Sequence, residues 1–322
     1  MSGRLRRALG WVVLTACLFG AFPPSARAQV LRVEALDGAQ PIVEATLSGE
    51  PVRLIVALDA PAFLLVNAST AERAGLRATP LLSRGVSIQI RDEATLRGRT
   101  GRPRLSVGSA AGSRRRAIWI PDYEFTPLAD GYVGLGALEA FDQIELIMDA
   151  SAPETAATVL PGKRGLLEWR FEASSTLGAV DLGLSLIQRT HLDRRIFRQA
   201  EQTGLVDEPL PDAVDEPIGM FAMGQALLHP NHGLLIAGYF PQMLAYQLSN
   251  AELAMHEAQT GSGHAERIDV ITITERSGAN RVPRASLGRD VLRQCALLVF
   301  DLQDNSVTLW CPEGLHGDGP TE

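Results

Sequence analysis

Two aspartates in this chain sit in near-copies of one another. Ala57-Leu58-Asp59 is followed by Ala60-Pro61-Ala62-Phe63-Leu64-Leu65, and Ala179-Val180-Asp181 by Leu182-Gly183-Leu184-Ser185-Leu186-Ile187. Each reads Ala, an apolar residue, Asp, four residues, then two large aliphatics. Each follows a strand-like segment and precedes a helix with a capping signal. A carboxylate at such a turn can take up or release a proton.

Other chemistries have weaker sequence support. A Gly-x-Ser-x-Gly elbow is absent, and no Ser-His-Asp set can be assigned from spacing. His229-Pro230-Asn231-His232 has Pro between its histidines and no matched Cys or Glu set, so no metal is expected. Gly134-Leu135-Gly136 lacks the lysine and the full glycine spacing of a phosphate loop. Arg114-Arg115-Arg116 would suit an anion, but a solvated hairpin tip accounts for it as well. No cofactor is expected.

The elements that must hold the aspartates follow from patterning. Ile42 to Leu47 alternates, Ser48-Gly49-Glu50-Pro51 is turn chemistry, and Val52 to Leu58 is a second strand. Phe63 to Val66 reads as a short buried strand. Ser69 with Glu72 reads as a capping box, and Gly75 as the helix stop. Strands with polar turns follow from 84 to 120. Gly131 to Gly136 leads through a short helical stretch, Ala137 to Phe141, into a strand from Ile144 to Met148 that ends at Asp149.

The second half repeats the plan. Leu167 to Ala173 alternates as a strand, Leu177 to Val180 leads into the second Asp turn, Leu184 to Ile187 is the apolar run, Thr190 with Asp193 is a capping pair, and Gly204 is a helix stop. Residues 206–217 are acidic and proline-rich and read as a surface loop. Strands are expected near Ile236 and from Ile268 to Ile273. Leu287-Gly288 opens a helix, Leu297 to Phe300 is a strand ending at Asp301, and Val307 to Trp310 closes the chain. Leu135 precedes Asp149 by the same 14 residues that separate Leu287 from Asp301. Two related spacings in one chain point to an internal duplication.

Composition bounds the rest. A chain of 322 residues has room for two domains, and its apolar content is that of a folded protein. Arg4, Arg6 and Arg7, an apolar run from Ala8 to Phe22, and Ala26-Arg27-Ala28 form a signal peptide with cleavage after Ala28. Leu14-Thr15-Ala16-Cys17 fits a lipid-attachment box, but Leu18-Phe19 follow where small or polar residues are usual, so soluble export is expected. Loss of residues 1–28 removes four Arg and no acid, which takes the net charge from −7 to −11. That balance argues against nucleic acid or an anionic membrane as partner. No other stretch is long enough to span a bilayer. The mature chain keeps Cys295 and Cys311, which could pair in an oxidising compartment or remain buried thiols. A disulfide closing so short a loop would contribute about 3 kcal/mol.

Taken in order, the hairpin, the Asp turn, the apolar pair and Ala71-Glu72-Arg73-Ala74-Gly75-Leu76 resemble a bacterial retropepsin-like aspartic protease domain. The later Leu-Gly helix and the strand ending in Asp are similar too. The resemblance covers roughly residues 40–150 and 165–312, and two such lobes in one chain would be similar to pepsin. It implies a mainly β fold of two lobes related by a pseudo-twofold, with a cleft between them. The implied division is a signal peptide at 1–28, an N-terminal lobe at 29–150, a linker at 151–165, a C-terminal lobe at 166–312 and a disordered tail at 313–322.

The family carries Asp-Thr-Gly in each lobe. Two carboxylates a few ångströms apart share one proton, one serving as general base on a water and the other as general acid. This chain departs from the motif in both halves. Anchored on Asp, it reads Asp59-Ala60-Pro61 and Asp181-Leu182-Gly183. Anchored on the downstream aliphatic pair and helix, Ala57 and Ala179 fall on the family's Asp positions, and Asp59 and Asp181 on its Gly positions. The second alignment needs no gap and is preferred.

The resemblance therefore implies an exported, periplasmic or secreted, aspartic-peptidase-like protein with altered catalytic motifs. It is expected to be a monomer that holds a peptide or unfolded polypeptide in an inter-lobe cleft with little or no hydrolysis. The alternatives are an active atypical aspartic endopeptidase using Asp59 and Asp181, and a β-rich envelope scaffold.

Overall fold

A computed structural model of the chain describes residues 29–58, 62–78, 86–90, 94–149, 156–164, 169–171, 179–182, 190–192, 194–215, 222–228, 243–248, 255, 258 and 284–311. The signal peptide, the tail at 313–322, Asp59, the run 184–187, His229 to His232, and the strands expected near Ile236 and from Ile268 to Ile273 lie outside them. The fold of the described residues is mainly β, with a few short helices.

The first strand, β1 (Val30–Glu34), runs parallel to a strand far along the chain. Next comes the expected hairpin, β2 (Ile42–Leu47) and β3 (Glu50–Ala57). Ser48 and Gly49 both have positive φ, 54° and 95°, the backbone that a two-residue hairpin turn requires. In β3, Leu54, Ile55, Val56 and Ala57 are all buried, so this strand has apolar packing on both faces.

β4 (Leu64–Val66) and the short helix α1 (Ala68–Arg73) follow. Gly75 ends the helix at φ 58°. The helix start differs from the expected capping box. Asn67 is the N-cap and makes no side-chain cap bond, while Ser69 takes its partners from Glu124. Buried Asn67 instead bonds outward: its amide donates to the carbonyls of Thr126 and Ala129, and its oxygen accepts from the amide of Phe125. A side chain that can close a loop some 60 residues away is better used there than at a helix end that water reaches.

β5 (Val86–Ile90), β6 (Ala94–Gly101), β7 (Arg104–Val107), β8 (Ser113–Arg114), β9 (Ala117–Trp119) and β10 (Gly131–Gly134) complete a nine-stranded sheet. Its order is β5-β6-β9-β4-β10-β3-β2-β7-β8. A 3-10 turn over Leu135–Leu138 leads to β11 (Gln143–Ile147).

Within the stretch 151–165 read as a linker, residues 156–164 form β12 (Ala156–Arg164). The chain then continues through β13 (Trp169–Phe171), β14 (Ala179–Leu182), β15 (His191–Leu192) and α2 (Arg194–Gln202), which Gly204 ends at φ 71°. Next are β16 (Val206–Asp215), β17 (Ala222–Leu228), β18 (Met243–Gln247) and β19 (Arg284–Leu287). The acidic, proline-rich stretch expected as a loop is thus largely the strand β16. It tolerates Pro209 and Pro211 because it lies at the sheet edge and its pairing with β17 shifts register twice. Last come α3 (Arg289–Leu292), β20 (Leu297–Asp301) and β21 (Ser306–Cys311).

The second sheet runs β14-β19-β15-β18-β17-β16. Read from the other end, this repeats part of the first sheet, where β5-β6-β9-β4-β10-β3 are neighbours. The pairing senses agree step by step along both runs: antiparallel, antiparallel, parallel, antiparallel, parallel.

The third sheet, β1-β11-β20-β21-β12-β13, draws strands from both ends of the chain. β11 pairs antiparallel with β20, and Arg32 on β1 reaches its register partner Glu145 on β11 at 2.8 Å. Cys295, just after α3, is bonded to Cys311 at the end of β21, with Cα atoms 3.9 Å apart. A single apolar cluster runs through all three sheets, from Val33 through Val56 and Val133 to Leu287, Phe300 and Leu309.

Candidate functional site

The candidate residues of the first half stand at the end of β3. Alternation along this strand sends Leu54 and Val56 into the main core, and Ile55 and Ala57 into a second cluster on the other face. That smaller cluster also holds Phe63, Leu65, Ile118, Phe125 and Tyr132. Ala57 is fully buried and lies in register with Gly134 of β10. Gly134 in turn donates its amide to the carbonyl of Phe63 at 3.3 Å.

β10 can thread between β3 and β4 because Gly131 opens it. That residue has φ 148°, and a Cβ there would stand 2.1 Å from the Leu65 carbonyl oxygen. Residues 59–61, including Asp59, lie outside the described residues.

In the second half, β14 places Ala179 opposite Arg284 and Asp181 opposite Ser286. Ser286 is buried, and on its other side it faces His191 of β15. The two halves can be compared through their Leu-Gly landmarks, since Gly134 precedes Leu135-Gly136 as Ser286 precedes Leu287-Gly288. The alternation agrees: Val133 and Leu135, like Ala285 and Leu287, belong to the main core.

On that comparison Asp181 holds the register position of Ala57, and Ala179 that of Ile55. Both sequence alignments take Asp59 as the counterpart of Asp181. The strand register instead gives Asp181 the place of Ala57, two positions earlier in the sequence than Asp59.

The same comparison exposes a row that the linear sequence hides. Across the central three strands, the first half carries Ala57, Gly134 and Phe63, and the second carries Asp181, Ser286 and His191. Sequence reasoning missed Ser286 and His191, because about 100 residues separate β14 from β19. The one available signal was Ser286's place before the Leu-Gly landmark.

Polar side chains brace both halves beneath these positions. Fully buried Thr190, just before β15, donates from its hydroxyl to Asp290 Oδ1 at 2.9 Å and accepts the Gly288 amide at 3.0 Å. The Thr190 amide also donates to Asp290 Oδ1, so the residue expected to cap the following helix is spent on α3 instead. In the first half, Asp130 accepts the Arg53 amide on Oδ2, and both the Thr70 hydroxyl and the Arg73 guanidinium on Oδ1. Burial alone would raise the Asp130 pKa, but the Arg53 amide, Arg73 and Thr70 together pull it below the ordinary carboxylate value.

Cations surround the first-half cluster. The Arg116 guanidinium lies over the Phe63 ring, 5.8 Å from its centre. Burial, and then the nearby charge of Arg102, lower the Arg116 pKa. Arg289, at the start of α3, donates to the Gly38 carbonyl. Burial lowers the Arg289 pKa first and Arg293 second, while Tyr132 acts in the opposite direction. Burial, followed by Tyr132, raises the Tyr123 pKa.

Among the described residues, no group of three or more His, Cys, Asp or Glu side chains is placed to hold a metal ion. No helix among them is long and apolar enough to cross a membrane. Compared with known proteins, the chain matches no protein-family model and no curated protein sequence.

Proposed function

We propose that this is an exported, periplasmic or secreted, aspartic-peptidase-like protein. It holds a peptide or unfolded polypeptide in a cleft between two retropepsin-like lobes and does not cleave it through an aspartate dyad. The repeated strand order, with β10 threaded between β3 and β4 and β19 between β14 and β15, supports the two-lobe reading. So does the hairpin of β5 and β6 at the sheet edge, which suits a flap over bound peptide.

The observation that carries the non-catalytic reading is that Asp181 holds the register position of Ala57 and not that of an acid. Dyad chemistry needs two carboxylates within reach of one water, one ionised and one protonated. If the register position of Asp181 is the catalytic one, its counterpart is Ala57. If the position of Asp59 is catalytic, its counterpart is Gly183. Either way one turn supplies a carboxylate and the other does not, so no proton is shared.

The test is to incubate purified residues 29–322 with an unfolded protein from acidic to neutral pH, with and without a transition-state-mimicking aspartic-protease inhibitor. Binding is followed in parallel by anisotropy of a labelled unfolded peptide. The expected result is binding without inhibitor-sensitive cleavage. Inhibitor-sensitive cleavage that is lost in both Asp59→Asn and Asp181→Asn would establish the atypical endopeptidase instead. No binding and no cleavage would leave the envelope-scaffold reading.

A further inference from the structure

We infer that Arg102 and Arg116 form a subsite for a carboxylate side chain of a bound peptide, on the outer side of the buried Phe63 ring that Arg116 covers. This rests on the peptide-binding reading above and narrows it to acidic peptides.

The first ground is local charge. From Ala94 to Pro121 the chain has seven arginines and no acidic residue, although its net charge is −7. The strands then bring two of these arginines together. Arg104 and Arg114 are direct cross-strand partners on β7 and β8, a placement that like charges disfavour. Elsewhere among the described residues arginines meet carboxylates: Arg32 meets Glu145, Arg53 meets Glu44, and Arg73 meets Glu50 and Asp130; within the stretch itself, Arg115 meets Glu139. Among the described residues, no carboxylate pairs with Arg102 or Arg116.

The second ground is that Arg116 is held in place. Its carbonyl accepts the Leu64 amide at 2.9 Å, its Nε points at Thr100 Oγ1 at 3.4 Å, and its guanidinium lies over Phe63. Buried Thr100 is itself fixed by donating to the Ala117 carbonyl. A guanidinium anchored on a ring and a hydroxyl keeps its remaining N–H groups for a ligand and loses little side-chain freedom on binding. Arg102 adds a second positive charge beside it, because the two residues flank the last cross-strand pair of β6 and β9, Gly101 with Ala117; after burial, that charge pushes the Arg116 pKa down. An anion seated between the two relieves that repulsion and accepts charge-assisted hydrogen bonds. Phe63 connects the subsite to the candidate cleft, because its carbonyl takes the Gly134 amide.

The test compares two labelled unfolded peptides that differ only by Glu→Gln replacements, measured by anisotropy with full-length mature protein. The acidic peptide is expected to bind about tenfold more tightly, with the preference shrinking as salt is raised. Arg116→Gln and Arg102→Gln should each abolish the preference, while Arg32→Gln should keep it. Arg102→Gln leaves the Phe63 packing untouched, so a loss there cannot be blamed on misfolding around the ring.

Equal binding of the two peptides by the wild-type protein overturns the subsite and leaves the peptide-binding reading standing. If neither peptide binds, the peptide-binding reading falls. The subsite is then decided by titrating inorganic phosphate against the arginine Nε–H NMR signals. A shift at Arg116 that disappears in Arg102→Gln supports an anion site, and no shift at Arg116 overturns it.

Discussion

Asp181 on β14 stands in register with Ser286 on β19, in the position that Ala57 occupies beside Gly134 in the first half. If the halves face each other across a cleft about a pseudo-twofold, an acid placed at Ala57 will feel the charge of Asp181. Ala57 is fully buried, so the carboxyl of Ala57→Asp would have its pKa raised. It costs nothing in charge at low pH, where it is neutral in both the folded and the unfolded chain. The cost grows as pH rises above about 4, where only the unfolded chain ionises freely. Ala57→Asp is therefore expected to lower stability by about 1–3 kcal/mol at pH 7 and by less at pH 3.5. In the Asp181→Asn background the loss at pH 7 should be smaller. Denaturant melts of the four proteins in this double-mutant cycle measure the difference. An identical loss in both backgrounds would mean that the two positions do not face each other.

Asp130 ties three parts of the first half together. It joins β3 through the Arg53 amide, and α1 through Thr70 and Arg73, to the segment before β10. Its lowered pKa means that the folded state prefers the carboxylate. The resulting stability is present above the unfolded value of about 3.9 and is lost as pH falls through the lower folded value. Asp130→Asn should lose about 1–3 kcal/mol at pH 7, because a neutral amide cannot serve both the Arg73 guanidinium and the Arg53 amide as the carboxylate does. The variant should also show a flatter decline in Tm between pH 5 and pH 2. Parallel acid limbs for variant and wild type would rule out this role.

Thr190 is the buried joint between β15 and α3. Thr190→Val keeps the shape but leaves the Gly288 amide without its acceptor and removes one of the donors to Asp290. A loss of about 1–3 kcal/mol is expected. Thr190→Ser, which retains the hydroxyl, should recover most of it. If Val and Ser were equally stable in thermal melts, packing of the side chain and not its hydroxyl would hold α3.

What the linear chain determined is local. Ser48-Gly49 supplies a turn with two positive φ values, Gly75 and Gly204 end helices at positive φ, and alternation marks β2 and the faces of β3 and β11. These features depend on backbone sterics and on side-chain period, which a few neighbouring residues decide. The equal spacing from each Leu-Gly to its downstream Asp is also visible in the chain.

Partnership was decided only by the tertiary structure. Ser69 had a reasonable capping partner in Glu72 and took Glu124. Thr190 had one in Asp193 and took Asp290, 100 residues on. Residues 206–215 look like a loop by composition and became an edge strand because β17 was there to pair with them. The two Ala-apolar-Asp stretches match over their key positions, yet the sheets put Asp181 in the register position that Ala57 holds in the first half. Register is fixed by which side chains the sheet faces must bury and by hydrogen bonds to strands distant in sequence, so the matched letters could not reveal it.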